Sequence, residues 1–216
     1  MVFDPLKTSQ PKIDIIGCGA TGSKIAMSLL KLGIKNVRIW DQDKVEEHNI
    51  PNQAFLMTCL EMNKVEALAS MAPWVDIDVR TEFYEGQTPL GDVVFLLIDT
   101  MSGRKEIFEK HIRMKRNVRL MIETRVGSDL GKIFTLDPRK PSHIKYWEEN
   151  WFPDDKAEVS KCGSTISVGP TGDIISGYAV WQFMNWMLNK ESLEGLHHDL
   201  TLATRGELVA LTNSVK

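Results

Sequence analysis

Apolar positions along the chain fall into two patterns. Short continuous runs at residues 12–17, 36–41 and 91–99 predict strands, and the unbroken run 93–98 predicts a central parallel strand covered on both faces. Residues 75–80 alternate and predict a further strand. Between these runs the period changes to that of a helix. Ile25, Ala26, Leu29, Leu30 and Leu32 give residues 21–32 one apolar face, with Gly33 placed to stop the helix. Residues 59–72 repeat the helical pattern up to Pro73, and 102–114 repeat it again before a strand at 118–122. The order is β-α-β-α-β-β-α-β, which predicts an α/β fold with a Rossmann-like, doubly wound, mostly parallel sheet.

The second half reads differently. Residues 131–136 predict a strand. Residues 138–161 are polar, carry Pro138, Pro141 and Pro153, and read as a long mobile loop. Residues 174–188 predict an apolar helix. Residues 199–203 and 207–211 predict C-terminal antiparallel strands that turn at Arg205 and Gly206.

Composition narrows the function classes. A chain of 216 residues suits one α/β domain. A net charge of -3 argues against a nucleic-acid binder that relies on bulk electrostatics. No apolar run approaches the length of a bilayer span, and residues 1–10 carry no apolar signal segment, so no membrane partner is expected. The three cysteines, Cys18, Cys59 and Cys162, form no Cys-x-x-Cys pair. That removes the obvious zinc clamp and fits a reducing, cytoplasmic compartment.

The chemistry starts at Gly17, Gly19 and Gly22, a G-x-G-x-x-G with Ala20 inside it, placed between a strand and a helix. Glycine lets the backbone turn tightly and approach a phosphate, and the free N–H groups of the helix start face the anion. Asp41 ends the second strand, where an acidic side chain can hold ribose hydroxyls. Those features alone would suit NAD(P). The next segment points elsewhere. Asp43, Lys44, Asn49 and Gln53 follow directly, Lys64 sits on the next helix, and Asp99 ends the apolar strand. A lysine and a strand-end aspartate suit a triphosphate with Mg²⁺ better than a pyrophosphate bridge. Lys64 reads equally as a solvated helix lysine, and Asp99 equally as a helix cap.

These residues resemble the ubiquitin-activating-enzyme-like superfamily, whose simple members are the ThiF and MoeB adenylyltransferases. Its pattern is a glycine loop, then D-x-D-x-V-x-x-x-N-x-x-R-Q, a helix lysine, and a strand-end aspartate with an arginine soon after. Gly17, Gly19, Gly22, Asp41, Asp43, Val45, Asn49, Gln53, Lys64, Asp99 and Arg104 match. The resemblance implies one adenylation domain over residues 1–216, with a crossover loop at about 138–163. It implies ATP and Mg²⁺, with Asp41 on the ribose, Asn49 and Lys64 on phosphates and Asp99 on the metal. It implies attack on ATP by the C-terminal carboxylate of a ubiquitin-like or sulfur-carrier protein, and a homodimer. Cys162, ahead of Pro170 and Thr171, is similar in placement to the nucleophile of thioester-forming members; a structural cysteine is the other reading.

Two departures stand out. The family arginine before the glutamine is Asn52, and no arginine precedes Lys12. Arg104 and Arg125 are the candidates to replace it. The competing expectations are a non-catalytic nucleotide-binding or scaffold subunit, motivated by these losses, and an NAD(P)-dependent oxidoreductase, motivated by the glycines and Asp41. Trp147 and Trp151 are expected to cap the adenylate, dock a tail or pack. His197 and His198 read as surface residues.

Overall fold

The computed structural model describes residues 10–128, 130–156, 169–189, 191–193, 199–203 and 209–213. The strands are β1 (Ile13–Ile16), β2 (Val37–Trp40), β3 (Asp78–Arg80), β4 (Val93–Leu96), β5 (Leu120–Val126), β6 (Leu130–Leu136), β7 (Asp199–Ala203) and β8 (Val209–Asn213). They form one eight-stranded sheet in the order β3-β2-β1-β4-β5-β6-β7-β8. The pairings from β3 to β5 are parallel, with Ile13 opposite both Val37 and Val93. Those from β5 to β8 are antiparallel. The strands β1, β2 and β4 are buried at every position, which is why they read as unbroken apolar runs.

The two sheet faces carry separate cores. Ile13, Ile15, Val93, Phe95, Leu120 and Ile122 face the helices α1 (Gly22–Lys31), α2 (Lys64–Met71) and α5 (Gly169–Leu188). Ile16, Val94, Leu96 and Met121 face α3 (Met101–Ile107) and α4 (Pro141–Glu149). Alternate residues of one strand thus feed opposite cores. Gly33, at φ +85°, lets the chain leave α1, as its position predicts.

Several boundaries differ from the sequence expectation. The helix α2 starts at Lys64, because Asn63 caps it by accepting the Val65 N–H at 3.0 Å. The helix α3 widens into a π-helical stretch at Phe108–Ile112. The expected loop 138–161 is corrected over its first half. Pro141 occupies the first turn of α4, where its fixed φ starts a helix rather than breaking one. His143, Ile144 and Trp147 make its buried face, a one-sided pattern diluted by Lys140, Lys145, Glu148 and Glu149. The helix α5 begins five residues before the expected 174, at Gly169. The turn expected at Arg205 and Gly206, and His197 and His198, lie outside the described residues. No helix among the described residues is long and apolar enough to cross a membrane.

Candidate nucleotide site

The glycine loop joins β1 to α1, and its three glycines do different things. At Gly17, φ is +98°, and an added Cβ would sit 2.7 Å from the Leu97 carbonyl carbon. At Gly22 an added Cβ would sit 2.0 Å from the Gly17 carbonyl oxygen. Both are demanded by backbone packing. Gly19 differs, since a Cβ there would meet nothing within 4 Å. That open side, above the start of α1, is where an anionic ligand can approach the loop.

Asp41 is tied to this loop. Its Oδ2 accepts the Cys18 N–H at 2.6 Å and its Oδ1 accepts the Asp43 N–H at 2.8 Å. A carboxylate offers about four lone-pair directions, so these bonds leave capacity for ribose hydroxyls. Burial raises the Asp41 pKa above its ordinary value, against the pull of Lys64. Burial also works against the Lys64 ammonium, but Asp41 and Asp43 outweigh it, and its pKa is raised. Lys64 is only 6% exposed, and its Nζ meets Asp43 Oδ2 at 2.9 Å. The solvated-lysine reading is therefore excluded by its burial. Burial also pushes the Cys18 thiol far up, so it stays protonated and inert.

Asn49 is buried, and its Oδ1 accepts the Glu46 N–H at 3.0 Å. The backbone of Gln53 donates to the Asn49 carbonyl at 2.9 Å, while its own Oε1 is buried with no donor among the described residues. Asn52 lies beside the start of α5, where a Cβ on Gly169 would come within 2.5 Å of the Pro51 carbonyl oxygen. The helix α5 is held there by Lys24, whose Nζ reaches the Gly169 carbonyl at 2.9 Å and Asp173 at 2.8 Å.

Asp99 follows β4 and is exposed. It does not cap α3. The carboxylate of Asp154 does, accepting the N–H groups of Met101 and Ser102. Among the described residues no three His, Cys, Asp or Glu side chains converge on a metal position. A cation at Asp99 would take its other ligands from phosphate and water, which suits Mg²⁺.

Arg104, expected as a catalytic cation, points inward. It is 6% exposed, its Nε donates to the Ile98 carbonyl at 2.7 Å, and its Nη1 donates to Glu123 at 2.8 Å and to the Thr124 carbonyl at 2.7 Å. It ties the chain after β4 to β5. Trp147 is buried and donates its Nε1–H to Glu123. Trp151 donates to the Met101 carbonyl at 2.9 Å. Cys162 lies outside the described residues.

Sequence reasoning missed Glu123, which is fully buried and takes Arg104, Arg125 and Trp147 together. A lone acid inside an apolar strand was the available signal. It also missed the hydroxyl pair of Thr21 and Thr124 at 2.7 Å, which ties the glycine loop to β5.

The ThiF family model matches residues 4–208. Ubiquitin-like modifier-activating enzyme 5 of Drosophila persimilis is 31% identical over 91 residues, which is 42% of this chain and 24% of that protein. A crystal structure of E. coli MccB with AMPCPP and MccA aligns with a TM-score of 0.68 at 15% identity, over 95% of this chain and 64% of that one. A structure of PaaA aligns with a TM-score of 0.67 at 19% identity, over the same shares. The chain thus spans about a quarter of the curated relatives and just under two thirds of these structures, and at such identities the structural likeness speaks for the fold alone. With the family model running nearly end to end, the chain belongs to the ThiF family.

Proposed function

We propose that this protein adenylates a carboxylate with ATP and Mg²⁺, and that the carboxylate is the C-terminus of a ubiquitin-like or sulfur-carrier protein. The observation that carries this reading is the buried Lys64, paired with Asp43 beside the Asp41 that braces the glycine loop. A buried cation against a phosphate loop suits a triphosphate, whereas a dinucleotide pyrophosphate needs none. In the proposed reaction a carboxylate oxygen attacks the α-phosphorus of ATP. A P–O bond forms to give the acyl-adenylate, and the bond to pyrophosphate breaks. Asp41 holds the ribose, the loop N–H groups and Lys64 hold phosphate, and Asp99 meets the metal. Positioning and charge neutralisation supply the rate.

The related MccB structures include one with both AMPCPP and MccA, and a peptide carboxylate falls within the same proposed substrate class. The reading takes in a cytoplasmic location and a homodimer, the latter supported by Tyr178 and Trp181 exposed on α5. The test is ATP–pyrophosphate exchange. Exchange is expected only with Mg²⁺ and a carboxylate partner, and its absence across candidate carboxyl-terminal peptides and carrier proteins would count against the reading.

A second reading, a non-catalytic subunit, is favoured by Asn52 and by the inward bonds of Arg104. Under it, Asn52→Arg would create exchange that the wild type lacks. We further propose Cys162 as the acceptor of the activated carboxylate, its thiolate attacking the acyl carbon of the adenylate to form a thioester as the acyl–phosphate bond breaks and AMP leaves, because Cys18 and Cys59 are both buried. The native protein should then show one thiol that reacts promptly with a chromogenic disulfide, lost in Cys162→Ser, and three after denaturation. Prompt reaction of Cys18 or Cys59 would remove this assignment.

A further inference from the structure

The C-terminal ends of the parallel strands form a row whose order follows the sheet: Asp41 after β2, the glycine loop after β1, Asp99 after β4, and Arg125 near the end of β5. On the proposed function, which this inference rests on, that row holds ribose, phosphate and metal in turn. The next position along it is the side from which the carboxylate arrives.

Arg125 is built differently from Arg104. Its Nε donates to Glu123 Oε1 at 2.6 Å and its Nη1 to the Asn150 carbonyl at 2.6 Å. Its guanidinium carbon lies 4.4 Å from the Phe134 ring and 5.4 Å from the Phe152 ring. Its Nη2 is buried with no acceptor among the described residues. A buried donor of a charged group without an acceptor is unfavourable and calls for an explanation. The planar fork is held rigidly, one arm is unfilled, and the other is filled by a peptide carbonyl from the covering segment.

That segment, residues 150–154, is fastened across the end of the sheet. Trp151 donates to the Met101 carbonyl, the Lys105 ammonium lies 4.5 Å from the Trp151 ring, and Asp154 caps α3 two residues after Asp99. It places a peptide carbonyl on Arg125 and a carboxylate next to the Asp99 strand end, the two groups that a peptide tail ending in a carboxylate would also bring. We propose that Arg125 receives the terminal peptide oxygens of the substrate tail, and that residues 150–154 cover it as an internal stand-in until the tail enters. Arg125 thereby supplies, on the acceptor side, a fork that Asn52 cannot.

The test is calorimetric titration with two probes, AMP and a sulfamoyl adenosine carrying N-acetylglycine, which extends the nucleotide by one peptide group. The wild type is expected to bind the acyl probe at least tenfold more tightly than AMP. Arg125→Lys, checked for folding by its melting curve, is expected to lose that increment while AMP affinity stays within twofold. Asp154→Asn, which loosens the cover and leaves Arg125 in place, is expected to bind the acyl probe severalfold more tightly with AMP unchanged. Wild-type affinity for the acyl probe in Arg125→Lys, or no gain in Asp154→Asn, overturns the proposal while leaving adenylation standing. If the wild type binds neither probe, the adenylation reading fails and this proposal falls with it.

Discussion

Glu123→Ala is expected to lower the melting temperature by about 6–20 °C, because removing one member of a buried ion pair costs about 3–5 kcal/mol and each kcal/mol moves a domain of this size by about 2–4 °C. Glu123 is fully buried and is the shared partner of Arg104, Arg125 and Trp147. Without it, two guanidinium groups remain in the interior with backbone carbonyls as their chief acceptors. The pH dependence has a definite sign. Burial works to raise the Glu123 pKa, but Arg125, then Arg104, and the hydrogen bonds from Arg125 and Trp147 outweigh it, so the folded value lies below the ordinary 4.5. The unfolded chain therefore binds the proton first. The stabilisation is fully present above the unfolded value and is lost as pH falls through the folded one. Wild-type melting temperature should drop steeply below pH ~4, and Glu123→Gln should start lower at neutral pH and show a shallower acid limb. Equal melting temperatures and parallel acid limbs would contradict the role given to Glu123.

How much of this the sequence carries depends on how local each demand is. The glycine loop and Asp41 are legible because each answers a short-range need: Gly17 and Gly22 leave no room for a Cβ, and Asp41 must reach a backbone N–H at the end of the neighbouring strand. Buried strands are legible because burial on both faces forces an unbroken apolar run. Arg104 was legible as important but not in its role. Its position five residues beyond Asp99 turns it beneath the strand end, onto Glu123 of β5, and no local pattern shows that. The pair of Thr21 and Thr124 joins residues 103 apart, a coincidence only the fold produces. The helix α4 is hidden because its apolar face has few members and its leading Pro141 falls in a polar, proline-bearing stretch that reads as a loop.

The second large effect concerns the ligand. Asp99 stands exposed just beyond the end of β4, the strand beside β1 and the glycine loop, which is open at Gly19. If this is a triphosphate site, the carboxylate of Asp99 acts on ATP through the metal. Asp99→Asn keeps the shape but removes the charge that a hard divalent cation needs. It should therefore weaken ATP binding in the presence of Mg²⁺ by about tenfold or more, on the order of the 1.5–3 kcal/mol of a hydrogen bond to a charged group, and should leave binding without Mg²⁺ nearly unchanged. Because Asp99 is exposed, the substitution should leave the melting temperature within a degree or two, so a loss of affinity reports the site rather than the fold.

The most direct measurement is calorimetric titration of the wild type and Asp99→Asn with ATP, with and without Mg²⁺, beside a titration with NADH. The account predicts that ATP binds, that Mg²⁺ tightens it, that Asp99→Asn loses the Mg²⁺-dependent part, and that NADH does not compete. Tight NADH binding with no response to ATP would contradict it.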